Sequence, residues 1–256
     1  MKNYLRIILF NLKVETKFKA DYFIRLLMFM FRILVFVELW DYLLKDKTVV
    51  GYTKEDLIWY IIIGEVLIYS MTKNYVRISN MVKNGDIANV LTKPISMLKY
   101  IFAMEITSAI NFVFNMFFAG IYGFILVRIP DICFQKVVLF LISIIISYFM
   151  ILFTQIFIGV CAFYLEDNHA IYILISKAII IVVMTPLDFF KGGLYYFLSL
   201  LPTTYIVYAP GKIFLSADYS LCLNLFLKQV IFFAVLVFVT KFITMKGEKK
   251  INVNGG

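Results

Sequence analysis

Long apolar stretches separated by short polar ones run through nearly the whole chain. Predominantly apolar segments cover about 22–44, 57–72, 100–127, 137–164, 171–186 and 221–244. Each is too long for a strand, and most approach the ~20 residues a helix needs to cross a bilayer. The pattern predicts an all-α polytopic membrane protein with six transmembrane helices. Ahead of the first span, Leu5, Ile8, Leu9 and Leu12 fall at helical spacing among Lys2, Arg6, Lys13 and Lys17. That suits an interfacial helix over residues 1–21 lying against anionic lipid. No small-residue cleavage site follows it, so the segment is expected to be retained. Between the last two spans, 187–220 is apolar yet broken by Gly192, Gly193, Pro202, Pro210 and Gly211. Re-entrant short helices fit it best, because non-helical backbone at bilayer depth survives only under a cover of protein.

One stretch breaks the rule differently. Arg77 to Lys99 is polar and basic, within a loop predicted over 73–100. Asn84-Gly85-Asp86 signals a turn and a cap, Ile87, Val90 and Leu91 give a short apolar face, and Lys93-Pro94 ends it. The segment reads either as a docking knuckle for a soluble partner or as an ordinary charged loop.

Composition agrees with lipid as the main solvent: 62% of residues are hydrophobic and 16% charged. The net charge of +9 comes from basic residues that punctuate apolar segments rather than gather on one soluble domain, which argues against nucleic acid as the partner. Three distant cysteines and the single His169 give neither metal-ligand spacing nor a histidine-dependent triad. No phosphate-binding Gly-rich Lys-Ser/Thr loop occurs, so the chain lacks that route to ATP. Lys and Arg concentrate before the first span, through 73–99 and in the tail. Fewer lie on the other side, at Lys45, Lys47, Lys54, Arg128, Lys136, Lys191, Lys212 and Lys228. Both termini are therefore expected in the cytoplasm.

Charges inside the spans are costly unless paired or wet. Counting ~1.5 Å per residue, Arg32 in span one and Glu65 in span two reach similar depth, which predicts a pair or a shared aqueous cavity. Arg25 lies seven residues before Arg32, on the same face, where Glu105 could meet it. These groups read as pathway charges or as structural ion pairs.

Three stretches carry a resemblance: Asn84-Gly-Asp-Ile-Ala-Asn-Val-Leu-Thr-Lys-Pro-Ile95, Asp167-Asn-His-Ala-Ile-Tyr172, and Pro186-Leu-Asp-Phe-Phe190 continuing to Leu201-Pro202 and Tyr208-Ala-Pro210. Their order among six spans resembles a permease subunit of type-2 ATP-binding-cassette exporters, in the antibiotic or multidrug branch. Lys191-Gly-Gly193-Leu194 and Thr203 depart from that branch. The resemblance implies a non-catalytic half-transporter in a bacterial cell membrane. It pairs with a second permease, more often a different chain than a copy, and sits on separate ATPase subunits that hold ATP and magnesium. It places ATPase contacts at Asn84, Gly85, Asp86, Ile87 and Leu91. Two other classes compete: an ion- or proton-coupled carrier using Glu38, Glu65 and Glu105, and an intramembrane enzyme, for which the spans show no paired acid motif or serine–histidine arrangement.

Overall fold

A computed structural model of the chain describes residues 19–44, 48–69, 74–87, 97–128, 130, 134–165 and 167–254. The amino-terminal interfacial helix expected over 1–21 lies almost wholly outside them. Among the described residues the chain is helical: α1 Lys19–Leu44, α2 Lys54–Tyr69, α3 Asn74–Lys83, α4 Met97–Leu126, α5 Phe134–Val160, α6 His169–Met184, α7 Gly192–Ser199, α8 Thr204–Leu215 and α9 Tyr219–Asn254. Single 3-10 turns occupy Cys161–Phe163 and Leu187–Phe189.

By length and composition, three segments are able to cross a membrane: Ser108–Leu126 in α4, Phe134–Phe163 from α5 into the 3-10 turn, and Tyr219–Lys249 in α9. The other predicted spans also form helices, but each departs from that standard for a physical reason. Helix α1 is long enough yet carries Arg25, Arg32, Glu38 and Asp41. Helices α2 and α6 have 16 residues each, or ~24 Å at the α-helical rise.

Helix α2 is the centre of the bundle. Its residues Leu57 through Leu67 are all buried, as expected of a helix apolar on every side. Helices α1, α4, α6 and α8 pack around it. Glycines permit the closest approaches. A β-carbon on Gly64 would meet Val183 of α6 at 2.9 Å, and one on Gly211 of α8 would meet the Tyr60 ring at 2.5 Å. The Tyr60 hydroxyl donates to the Val182 carbonyl at 2.9 Å. That carbonyl lies four residues before Pro186, which has no N–H to offer it.

Residues 187–220 fold as two short helices of opposite character. Helix α8 is buried from Thr204 to Gly211 against α2, α5, α6 and α9. Helix α7 buries only Leu198 and exposes Leu194, Tyr196 and Phe197. Thr204 Oγ1 donates to the Leu198 carbonyl at 2.6 Å, closing the break between them.

Two boundaries differ from those read in the sequence. Helix α4 begins at Met97, inside the predicted 73–100 loop. Helix α9 runs on to Asn254 instead of giving way to a tail near Thr244. Intrahelical bonding continues there because Lys246, Glu248, Lys249 and Lys250 are good helix formers, and a buried Gly247 keeps the helix close to the Phe163 ring, which a β-carbon would meet at 2.3 Å.

Helix α3 is held on α5 by a similar approach, since a β-carbon on Gly159 would come within 2.6 Å of Ile78 Cβ. Gly159→Ala should cost about 1–3 kcal/mol through overpacking, measured as a fall in thermal unfolding midpoint in detergent.

Candidate functional site

The knuckle after α2 is an amphipathic helix ending in a left-handed turn. Helix α3 turns Tyr75, Ile78 and Ser79 inward and leaves Arg77, Asn80 and Lys83 exposed. Gly85 adopts φ +76°, its N–H reaching the Val82 carbonyl at 3.3 Å while the Asn84 N–H reaches Asn80 at 2.9 Å. A glycine in this conformation is a common way to end a helix. Asn84, Gly85 and Asp86 are exposed at the tip. Ile87 is not: it is fully buried among Ile78, Met97, Ile101, Ile156 and Val160. It therefore anchors the turn to the bundle. Leu91 lies outside the described residues.

Asn168 ties this knuckle to the connection between α5 and α6. It accepts from Ser79 Oγ at 3.1 Å and donates to the Ile158 carbonyl at 2.7 Å. His169 opens α6 and meets the Tyr75 hydroxyl through Nδ1 at 2.9 Å. The Tyr75 ring stacks on Tyr172 at 4.2 Å. The second of the quoted motifs is thus a seat for α3.

Near the middle of α1 and in the last third of α2, Arg32 Nη2 stands 3.0 Å from Glu65 Oε2. The glutamate side chain is 5% exposed and the arginine 44%. Glu65 Oε2 nevertheless receives no hydrogen bond, so the approach is close in distance but poorly directed. Charge attraction, rather than a fork of aligned N–H donors, holds the pair. Glu38 is exposed farther along α1. The side chains of Arg25 and Glu105 lie outside the described residues, though both positions are helical.

A third cluster, at the end of the bundle away from α3, was not foreseen. Asp188 accepts hydrogen bonds from Tyr52 on Oδ2 and from Tyr208 on Oδ1, the latter at 2.7 Å. Lys212 Nζ lies 2.9 Å from Asp188 Oδ2 and donates to the Tyr52 hydroxyl at 2.8 Å. The clasp joins the loop before α2, the turn after α6 and helix α8. Phe189 packs between Trp40 and Tyr52 beside it. Burial pushes the Asp188 carboxyl up. Its bonds from Tyr52, Lys212 and Tyr208, with the Lys212 charge, outweigh that and hold it below its ordinary range. The available signal was Asp188 and Lys212 among the few charges of the largely apolar 187–220 stretch, as charges there need partners.

The described residues thus form a helical bundle with three helices able to cross a membrane and a docked polar knuckle. Residues 24–255 match the family described as ABC-2 family transporter protein, and the chain belongs to that family. No curated protein matches it. The family is a membrane transport component, with ATP hydrolysis assigned to an associated ABC ATPase subunit.

Asp188→Asn should lower stability by about 2 kcal/mol, less than for a fully enclosed pair because both partners keep some solvent contact. Because the folded Asp188 pKa is depressed, the clasp's contribution is complete above the unfolded carboxylate pKa of about 4. It is lost as pH falls through the folded value. Unfolding midpoints of wild type and Asp188→Asn should therefore converge at low pH. Glu65→Gln should impair assembly or ATP-coupled transport, read by complex recovery and by transport in proteoliposomes.

Proposed function

We propose that this chain is the six-span permease subunit of an ATP-driven exporter of the antibiotic or multidrug branch, providing half of a translocation pathway in the cell membrane. Two permeases, more often unlike than identical, form the pathway between them. Both termini face the cytoplasm, and the segment before α1 lies in the interface as an elbow. Helices α7 and α8 form the outer re-entrant pair.

The exposed Asn84-Gly85-Asp86 tip carries this reading. It stands at the end of a helix seated on α5 by Ile78, Ser79 and Ile87, so a push on the tip reaches the bundle through packed contacts. In this reading the tip enters a groove on the ATPase. ATP and magnesium bind there, not on this chain. ATP closes the ATPase dimer and draws the two tips together, and the permease halves rock to open outward. The energy enters because ATP-bound and ATP-free states hold the tip differently.

Gly85→Val tests the tip with little damage to the body. A β-carbon at Gly85 meets no atom within 4 Å, but the left-handed backbone costs a branched residue about 1–2 kcal/mol. The variant should keep its detergent unfolding midpoint within a few degrees and lose most ATPase co-purification. Undiminished recovery of the ATPase would remove the tip from the coupling surface.

A further inference from the structure

Arg32 occupies an unusual position for a charge. It lies ~20 Å from Lys19 and ~18 Å from Leu44 along α1, near the middle of the helix. Almost half of its side chain is exposed. Met28, Phe31 and Val35, the apolar neighbours on the same side of the helix, are exposed as well. A guanidinium turned toward hydrocarbon would cost several kcal/mol, so this surface calls for a polar occupant.

The pair is also lopsided. Its negative end, Glu65, is buried; its positive end points outward with donors to spare, since Arg has five N–H groups. Glu65 neutralises the site overall, but its burial leaves the guanidinium as the face a ligand meets. A flat, forked cation suits a carboxylate or phosphate, and the apolar flank suits a hydrocarbon tail.

We propose that Arg32, backed by Glu65 and flanked by Met28, Phe31 and Val35, is a binding site for the anionic head of an amphiphile. This deepens the permease reading and rests on it. The head group could be borne by a membrane phospholipid or by a single-chain cargo; the chemistry of recognition is shared.

The test uses the permease assembled with its ATPase in phosphatidylcholine nanodiscs, and a palmitic acid carrying a photoreactive diazirine in its tail. Labelling is expected on the α1 segment around Met28–Val35. Dodecyl phosphate should compete about tenfold better than dodecanol, the factor one charge-assisted hydrogen bond supplies, and inorganic phosphate should not compete. Arg32→Gln should reduce labelling by a similar factor, and Arg32→Lys should keep part of it. Competition by phosphatidylglycerol included in the disc, as effective as dodecyl phosphate, identifies a lipid site; competition by the single-chain acid alone identifies a cargo site. Equal competition by dodecanol, or labelling indifferent to both Arg32 variants, overturns the proposal. So does labelling of the lone permease that disappears on assembly, since a second permease would then cover Arg32. ATPase co-purification, scored on the same samples, reports separately on the permease reading.

Discussion

In hydrocarbon, a backbone amide without a partner inside the protein has none at all. That constraint shapes this chain more than any side-chain preference. It makes the described residues helical almost throughout, and it explains the few places where side chains bond to main chain across helices. Tyr60 meets the carbonyl that Pro186 leaves open, Thr204 closes the gap at Leu198, and Asn168 reaches Ile158. Each of these bonds stands where a helix ends or breaks. The breaks are thereby tolerated within the bundle.

Polar side chains follow the same economy. Gln229 of α9 bonds to Ser147 at 2.8 Å, to the Ser143 carbonyl at 3.1 Å and accepts from Ser143 Oγ at 2.7 Å. This joins α5 and α9 through donors and acceptors that have no water to fall back on. The Asp188 clasp does the equivalent at one end, and the Tyr75–His169–Asn168 group at the other. Between them the packing is apolar and set by glycine. The molecule is pinned by polar contacts at several levels and filled by hydrocarbon between, so a rigid-body movement must either carry a pin with it or break it.

The helices themselves were legible from apolar run length, since hydropathy reports the solvent a segment will meet. Their ends were less so. Helix α9 passes Thr244 because helix formation does not stop where hydropathy does. The tip at Asn84–Asp86 was legible through glycine, whose left-handed backbone few other residues accept. The burial of Ile87 was not, since a lone apolar residue beside a polar turn is equally consistent with a partner's surface and with the chain's own core. Arg32 and Glu65 were legible because depth along two antiparallel helices can be counted. Asp188 and Lys212, 24 positions apart across two short helices, come together only through the three-dimensional path of 187–220. Periodicity carries no information about that path.

Helix α9 holds a final consequence. It runs 36 residues without a break, ~54 Å of continuous rise, well beyond the hydrocarbon thickness. Gln229 fastens it toward one end, and the Gly247–Phe163 contact braces it toward the other. A rod secured at two such distant points cannot tilt at one end alone. Any sideways shift near the α3 seat must appear, reversed or reduced according to where the rod pivots, beside α8. In mechanical terms this last helix is a lever arm, and its fulcrum lies wherever the serine–glutamine fastening proves stiffest.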